Sequence, residues 1–243
     1  MMNQIVGIDE DKINKPDRPL ASGLINLNQA KMRLGITMVL FPTYAYFSGD
    51  LTILCSAIGW QVIMICYNYF GFDKHWFNKN IVFITTGTFV QLTAAYEYGN
   101  LPLNVKERDL PYLWILYISL AFGISLNLQD LRDVIGDQKL NRQTLPVLLG
   151  QEKSRKVIAF IILCLPISLY IIWRIMLEMI FVHYLLQAVL IAFNLYVALK
   201  VIFGDKYAEK DQIKGLRQED DHSIYMVHCY YFCVLIATTL FIF

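Results

Sequence analysis

Long apolar segments alternate with short polar ones along most of the 243-residue chain. An α-helix needs about 20 apolar residues to cross the hydrocarbon core of a bilayer, and seven segments approach or reach that length. They lie at residues 34–48, 51–71, 80–98, 112–128, 157–173, 180–199 and 224–243. The pattern predicts an all-α, multi-pass membrane protein with about seven transmembrane helices, arranged as one domain over residues 1–243.

The composition supports this interpretation and excludes several function classes. Hydrophobic residues make up 56% of the chain and charged residues 17%, against about 25% charged residues in soluble domains. The net charge is +1 and the basic residues are dispersed, which argues against a nucleic-acid-binding surface. The five cysteines form no CxxC pair, so we expect neither a zinc site nor a redox role. The lipid bilayer is the expected partner, and no protein partner is predicted.

The basic residues also predict the orientation of the chain. If the seven helices alternate in direction, 18 of the 21 lysines and arginines fall on one side of the membrane. The positive-inside rule makes that side cytosolic, and we expect the membrane to be that of the endoplasmic reticulum. Two acidic segments, at residues 3–23 and 130–150, lie on the same side. We therefore expect both acidic segments to face the cytosol.

The segment DLRDVIGDQKLNRQTLPVLLG at 130–150 carries three aspartates at helical spacing. In a helix, Asp130, Asp133 and Asp137 share one face, where three adjacent like charges repel. Water at a solvated helix end offsets such repulsion, and so does a divalent cation. Oxygen-only ligands suit Mg²⁺, which is commonly bound by one or two carboxylates and substrate phosphates. On spacing alone, the solvated helix end and the metal site remain alternatives.

The segment NQIVGIDEDKINKPDRPLASG at 3–23 combines acidic and basic residues. If it is helical, Asp9 points away from a face formed by Asn3, Gly7, Glu10, Asp11 and Asn14. Pro16 and Pro19 should end the helix, next to Lys15 and Arg18. A metal–diphosphate site needs carboxylates for the metal and cations for the remaining phosphate charge. A charged cytosolic loop explains the basic residues equally well, but it does not explain the acidic face.

Together, the two segments resemble the motifs of the UbiA superfamily of intramembrane prenyltransferases. The second motif, DxxDxxGD followed by TLPVLLG, is matched from Asp130 to Gly150. The first, NxxxDxxxD running into NKPDRPxxSG, is matched from Asn3 to Gly23. The resemblance covers essentially the whole chain from Asn3 onward. It implies a helical bundle with a central cavity, in which Mg²⁺ held by both motifs binds a prenyl diphosphate and promotes its ionisation, while the isoprenoid tail lies among the apolar helices.

The resemblance implies roles for individual residues. The expected metal ligands are Asn3, Glu10, Asp11, Asp130, Asp133 and Asp137. All of these except Glu10 are also expected to be catalytic. The residues expected to bind the diphosphate are Lys15, Arg18, Arg142, Tyr67 and Lys74. Tyr67 and Lys74 come from the segment 67–79, which resembles the family's Tyr-to-Lys cytosolic segment with altered spacing.

The chain departs from the family pattern at three places. Gly7 stands where the family usually has the first aspartate of its first motif, and Glu10 is the natural substitute ligand. Gln143 occupies a position that is often arginine, which leaves Arg142 as the candidate one residue earlier. Family members have nine helices, with the first motif at the end of the second helix. The resemblance therefore implies that the two N-terminal helices of nine are missing here.

The NQxxGxxED form of the first motif is similar to a fungal branch of the superfamily, the membrane-bound sesquiterpene cyclases of the fumagillin bergamotene synthase type. This resemblance implies a lyase of secondary metabolism that cyclises farnesyl diphosphate to a sesquiterpene such as bergamotene. Transfer of the prenyl group to an aromatic or quinone-precursor acceptor, the commoner activity of the superfamily, is the alternative. A degenerate, non-catalytic relative is the third possibility.

Overall fold

The structure is a computed structural model that describes residues 1–100, 109–176, 181–203, 223–226, 228 and 229. These residues form helices and connecting turns without a strand, apart from an isolated bridge between His75 and Gln143. The all-α class is therefore confirmed, and helices cover six of the seven predicted apolar segments. Most of the seventh, 224–243, lies outside the described residues, as does the side chain of Asn14.

Ten α-helices follow one another along the described part of the chain, with a 3₁₀ turn at Phe72–Lys74 and a π-helix at Phe77–Ile84. The α-helices are α1 (Met2–Val6), α2 (Ile8–Asn14), α3 (Leu27–Phe47), α4 (Leu51–Tyr69), α5 (Thr85–Asn100), α6 (Asp109–Ser125), α7 (Asn127–Lys139), α8 (Leu145–Leu149), α9 (Gln151–Met176) and α10 (Phe181–Phe203). Four described stretches are long and apolar enough to cross a membrane: Leu51–Tyr69, Pro111–Lys139, Gln151–Ile175 and His183–Phe203.

Side-chain caps decide where the first long helices begin. At the start of α3, Asn26 Oδ1 accepts a hydrogen bond from the backbone N–H of Gln29 at 2.8 Å, and Gln29 Oε1 accepts from the N–H of Asn26 at 3.2 Å. This capping box satisfies two otherwise unpaired donors, so α3 begins in polar sequence before the apolar segment. At the start of α4, Asp50 accepts from the N–H of Ile53 at 2.9 Å. The cap thus lengthens α3 beyond its hydrophobic run, whereas α4 begins where its run begins.

The helices form two compact units, and the single domain expected from the sequence stays a prediction. The first unit contains residues 1–123 and 135–143. Within it, α6 passes very close to the π-helix: a Cβ atom at Gly123 would overlap the Thr85 hydroxyl and lie 2.5 Å from the carbonyl oxygen of Asn80. Only glycine allows this approach, as at many helix contacts in membranes.

The second unit contains residues 124–134 and the described residues from Thr144 onward. In it, α9 and α10 pack along each other around fully buried side chains such as Leu169 and Val197. Pro166 lies inside α9 and provides no backbone N–H. Gln187 of α10 donates a side-chain hydrogen bond to the carbonyl oxygen of Pro166 at 2.6 Å. A polar contact therefore joins the two helices at the proline.

Large apolar side chains remain exposed along the helices of each unit. Examples are Val39 and Phe47 in the first unit and Phe160, Ile175 and Phe181 in the second. In water, such a surface would favour association or aggregation, whereas in a bilayer it contacts lipid tails at no such cost. The exposed surface therefore agrees with an integral membrane protein.

Candidate active site

The N-terminal acidic segment is helical on both sides of Gly7. The N–H of Gly7 donates to the carbonyl oxygen of Asn3 at 2.8 Å, and the N–H of Asp11 donates to that of Gly7 at 2.9 Å, so helical hydrogen bonding continues from α1 into α2. Glu10 and Asp11 are buried. Asp9 is 82% exposed and pairs with Lys12. Asp9 is thus the exposed one of the three acids, and α2 ends before Pro16, as expected.

Asp11 is bound by Arg18, which the chain reaches through a tight turn after α2. The N–H of Lys15 donates to the carbonyl oxygen of Asp11, and the N–H of Arg18 donates to that of Lys15. The turn brings Arg18 Nη1 to 2.8 and 2.9 Å from the two carboxylate oxygens of Asp11. An expected metal ligand thus pairs with an expected diphosphate-binding residue. The side chain of Lys15 is half-buried.

The C-terminal end of α7 places Arg142 beside Asp137. Asn141 adopts a left-handed conformation with φ 53°. The N–H of Arg142 donates to the carbonyl oxygen of Asp137 at 2.9 Å, and the N–H of Asn141 donates to that of Gln138 at 3.2 Å. These two bonds form a Schellman motif, in which a left-handed residue, often glycine and sometimes asparagine, ends the helix. The motif folds Arg142 back towards the helix.

Two backbone hydrogen bonds bring a third segment to the same place. The N–H of Gln143 donates to the carbonyl oxygen of Lys74 at 2.7 Å, and the N–H of Trp76 donates to that of Gln143 at 3.0 Å. The 3₁₀ turn that precedes Trp76 is therefore held next to the end of α7. As a result, Asp73 lies beside Arg142.

Three carboxylates surround the guanidinium of Arg142. We call the four residues Glu10, Asp73, Asp137 and Arg142 the Arg142 cluster. Arg142 Nη2 lies 2.6 Å from Asp73 and 2.7 Å from Glu10, and Nη1 lies 2.9 Å from Glu10 and 3.5 Å from Asp137. Burial opposes the charge of Arg142, but the carboxylates of Glu10, Asp73 and Asp137 more than offset it and raise the pKa of Arg142 above its ordinary value. Arg142 is therefore cationic at any physiological pH.

The cluster lies at the wall of a cavity of about 420 Å³ within the first unit. The cavity is lined by Asn3, Val6, Gly7, Asp9, Glu10, Asn68, Tyr69, Phe70, Gly71, Asp73, Lys74, Leu140 and Arg142. Lys74 is exposed and adds a second cation to the cavity. Tyr67 packs its ring against that of Phe83, with centroids 6.1 Å apart. The cations Lys74 and Arg142 thus share one cavity with several carboxylates.

The other two aspartates of the second motif belong to the second unit. Asp130 and Asp133 are both buried on α7. Arg132 binds Asp133 through Nε at 2.9 Å and Nη2 at 3.1 Å. Its guanidinium carbon also lies 5.6 Å from the ring centroid of Tyr225, a cation–π contact. Arg18, Arg132 and Arg142 therefore each bind at least one expected metal ligand.

The structure brings together many of the predicted residues but adds two that were missed. Glu10, Asp137 and Arg142 meet directly, and Asn3 and Lys74 line the same cavity. Asp73 and Arg132 were not predicted. The signal for Asp73 was its position next to Lys74 in the segment 67–79. For Arg132, it was a basic residue inside an otherwise acidic motif.

The residues of the cluster fit Mg²⁺ by charge and by ligand type. Their donors are carboxylate oxygens, which hard divalent cations prefer. Three carboxylates share one guanidinium, so the cluster keeps an excess of negative charge. In this structure, arginines bind these oxygens. Within the described ranges, no three Asp, Glu, His or Cys side chains are grouped closely enough to hold a metal. A cation would therefore have to compete with Arg142.

Comparisons with known proteins agree with the motifs. The model of the UbiA prenyltransferase family matches residues 1–216. Diterpene cyclase eriG of Hericium erinaceus is 31% identical over 98% of this chain and 69% of its own length. Polyprenyl transferase eriF of the same fungus is 30% identical over 97% and 73%. Fumagillin beta-trans-bergamotene synthase of Aspergillus fumigatus is 32% identical over 71% of this chain and 57% of its own length.

A solved structure has the same fold. The UbiA homologue of Archaeoglobus fulgidus bound to GPP and Mg²⁺ aligns with a TM-score of 0.62 at 15% identity, over 97% of this chain and 81% of that one. At this identity the likeness concerns the fold alone. This chain thus spans between about half and three quarters of the length of the relatives it matches and 81% of the solved structure.

Proposed function

Because the chain belongs to the UbiA prenyltransferase family, we propose that it is an integral-membrane, Mg²⁺-dependent enzyme that releases diphosphate from a prenyl diphosphate and cyclises the prenyl group. The Arg142 cluster in the wall of the polar cavity is the observation that carries this proposal. Our proposal extends to location: the endoplasmic reticulum membrane, with both acidic motifs facing the cytosol.

The residues of the two motifs divide between metal and diphosphate. We propose that Mg²⁺ is bound by Asn3, Glu10, Asp11, Asp130, Asp133 and Asp137, and that the diphosphate is bound by Lys15, Arg18, Tyr67, Lys74 and Arg142. Bound Mg²⁺ would neutralise charge on the diphosphate and make it a better leaving group. Arginine donates two parallel N–H bonds to phosphate oxygens, and Lys74 adds a point charge in the same cavity. The Archaeoglobus fulgidus homologue is bound to both GPP and Mg²⁺, which supports a site that binds a prenyl diphosphate together with Mg²⁺.

In a cyclase, the reaction needs no second substrate. The C–O bond of the prenyl diphosphate breaks, and its electron pair leaves with the diphosphate. A double bond of the same prenyl chain attacks the allylic cation, and loss of a proton yields a cyclic hydrocarbon. Water must be excluded from the reaction because it would capture the cation. The apolar helices favour this exclusion of water. Similarity to the diterpene cyclase eriG along 98% of this chain supports cyclisation.

The length of the prenyl chain is the finer part of the proposal. We retain farnesyl diphosphate as substrate and a sesquiterpene such as bergamotene as product, because the first motif has the form NQxxGxxED and the bergamotene synthase is 32% identical. The relative named as a diterpene cyclase matches more of this chain. Geranylgeranyl diphosphate is therefore the competing substrate.

Transfer of the prenyl group to an aromatic acceptor is the second candidate function. It is supported by the similarity to polyprenyl transferase eriF, which extends over 97% of this chain. Membranes containing the protein distinguish the two when they receive Mg²⁺ with farnesyl or geranylgeranyl diphosphate and no acceptor. A hydrocarbon detected by gas chromatography and mass spectrometry supports the cyclase. Product formed only after an aromatic acceptor is added supports transfer instead.

Substitution of the second motif tests the metal mechanism. We expect Asp133→Ala and Asp137→Ala to lower product formation by about 100-fold or more, as loss of one preorganised electrostatic group commonly does. Glu152→Gln removes a carboxylate that is exposed in the first turn of α9, and it should keep the activity of the unsubstituted protein. If product formation is the same in all three variants, the carboxylates of Asp133 and Asp137 are not needed. The metal mechanism is then wrong, and the non-catalytic alternative gains support.

A further inference from the structure

Arg142 occupies an unusual position for a residue expected to bind diphosphate. Its guanidinium nitrogens lie within 2.9 Å of Glu10 and Asp73 and 3.5 Å from Asp137. Glu10 and Asp137 are proposed metal ligands, whereas Asp73 belongs to neither motif. Carboxylate oxygens that accept hydrogen bonds from a guanidinium are poor ligands for a cation, because the two positive charges would repel at this distance. Arg142 and a divalent cation therefore compete for the same oxygens.

We propose that Arg142 is a displaceable counter-ion, which opposes binding of a divalent cation at Glu10 and Asp137 until a diphosphate draws its guanidinium away. The inference rests on the proposed function, since it assigns the order of events at the same site. Phosphate oxygens are strong alternative partners because guanidinium binds them in the same two-bond geometry as carboxylates. A diphosphate in the cavity that Arg142 lines can reach it directly.

Asp73 has a different part in this exchange. It makes the shortest contact in the cluster, 2.6 Å to Nη2 of Arg142. Backbone hydrogen bonds of Lys74 and Trp76 to Gln143 hold its segment beside Arg142. Asp73 is thus a positioning residue that keeps the guanidinium at the cavity after Glu10 and Asp137 are released.

Such competition couples the two ligands. If the diphosphate removes the competitor of the cation, it raises the affinity for the cation, and by linkage the cation raises the affinity for the diphosphate by the same factor. The protein alone should then bind divalent cations weakly. This distinguishes Arg142 from a residue that only attracts phosphate.

The test measures cation binding without turnover. Full-length protein purified in detergent is titrated with Mn²⁺, and free Mn²⁺ is followed by electron paramagnetic resonance. Without diphosphate, we expect Arg142→Gln to bind Mn²⁺ about tenfold more tightly than the unsubstituted protein, within the usual range of coupling between sites. Arg142→Lys keeps the charge but loses the two-bond geometry, and it should fall between the two.

Lys74→Gln is the matched control. It removes the same charge from the same cavity, and among the described residues Lys74 forms no ion pair with the cluster. We expect its Mn²⁺ affinity to change by less than about threefold, because exposed charges act through water. The proposal is overturned if Lys74→Gln tightens binding as much as Arg142→Gln, if Arg142→Gln leaves it unchanged or weaker, or if no variant binds Mn²⁺.

A second variant keeps the test decisive if Arg142→Gln does not fold, which the thermal unfolding curve from tryptophan fluorescence reports. Asp73→Asn leaves Arg142 in place. Inorganic pyrophosphate should tighten Mn²⁺ binding by a certain factor in the unsubstituted protein, and we expect that factor to be at least threefold smaller in Asp73→Asn. An unchanged factor overturns the role of Asp73. A protein that forms no hydrocarbon but shows these binding shifts supports the counter-ion and contradicts the proposed reaction, so the two can fail separately.

Discussion

At the scale of single residues, Gly7 determines how the first motif is built. The family usually has an aspartate at this position, so a simple expectation is that Gly7→Asp restores a missing ligand. The structure argues otherwise, because a Cβ atom at Gly7 would lie 2.9 Å from the carbonyl oxygen of Asn3 and 3.4 Å from Oε2 of Glu10. The first distance is too short for real Cβ contacts, so the backbone between Asn3 and Gly7 must move.

We therefore predict that Gly7→Ala and Gly7→Asp both lower product formation, by about tenfold, which corresponds to about 1.4 kcal/mol of barrier. Initial rates in membranes measure the effect. Gly35→Ala is the control, because a Cβ atom there would meet nothing within 4 Å, and it should match the unsubstituted protein. If Gly7→Asp exceeds the unsubstituted protein while Gly7→Ala does not, the position lacks a ligand and the steric account is wrong.

Single residues also show what the sequence was able to predict. Glu10, Asp137 and Arg142 were named as site residues because the two acidic segments resemble the family's motifs, and the structure places these three side chains in contact. Asp73 was missed because its contact with Arg142 depends on backbone hydrogen bonds between Lys74, Trp76 and Gln143. Such long-range pairing leaves no periodic pattern in the sequence. The motifs thus indicated which residues to consider, while the contact that joins the 3₁₀ turn to the end of α7 could not be predicted from them.

At the scale of helices, the end of α7 decides whether Arg142 reaches the cluster. Asn141 has φ 53° in the Schellman motif, a region that costs an ordinary L-residue about 1–2 kcal/mol. Asparagine tolerates it better, and a β-branched residue tolerates it poorly. We predict that Asn141→Val lowers the thermal unfolding midpoint by about 2–4 °C for each kcal/mol of folding free energy that is lost. We also predict that it weakens the ion pairs between Arg142 and the carboxylates of the cluster. Differential scanning fluorimetry in detergent measures the first effect.

Asn141→Gly separates backbone conformation from side-chain chemistry. Glycine adopts positive φ without strain, so we expect this variant to lie within about 0.5 kcal/mol of the unsubstituted protein. In the Mn²⁺ titration, the Mn²⁺ affinity of Asn141→Val should rise towards that of Arg142→Gln, whereas the affinity of Asn141→Gly should stay at that of the unsubstituted protein. Equal destabilisation by glycine and valine would mean that the asparagine side chain, and not its backbone conformation, stabilises the helix end.

Helix boundaries were predicted less well than helix existence, for a physical reason. The apolar segment predicted at 34–48 belongs to α3, which begins at Leu27 because the Asn26–Gln29 capping box starts the helix in polar sequence. The segment predicted at 112–128 ends where α6 gives way to α7. Hydropathy predicts which residues contact lipid, whereas caps and turns decide where a helix starts and stops.

At the scale of the whole molecule, charge predicts how the chain is oriented in the membrane. The 18 basic residues on one predicted side include those of the Arg142 cavity. Within the first unit, that cavity lies by the last residue of α4, Tyr69. The hydroxyls of Tyr44 and Tyr98 meet at 3.0 Å, near the last residues of α3 and α5. The cavity and the tyrosine pair thus mark opposite ends of the helices of this unit.

We predict that the cavity end faces the cytosol and the tyrosine end faces the lumen. Asp17 and Gly99 are both exposed, one beside each end, so single cysteines there report the two sides once the five native cysteines are replaced by alanine. In sealed microsomes, a membrane-impermeant maleimide should label Asp17→Cys directly and Gly99→Cys only after detergent is added. The reverse pattern would contradict the positive-inside assignment. It would also place the proposed diphosphate site on the lumenal side. Labelling of both variants without detergent would instead mean that α5 does not cross the membrane, which would reduce the number of spanning helices below the seven expected from hydropathy.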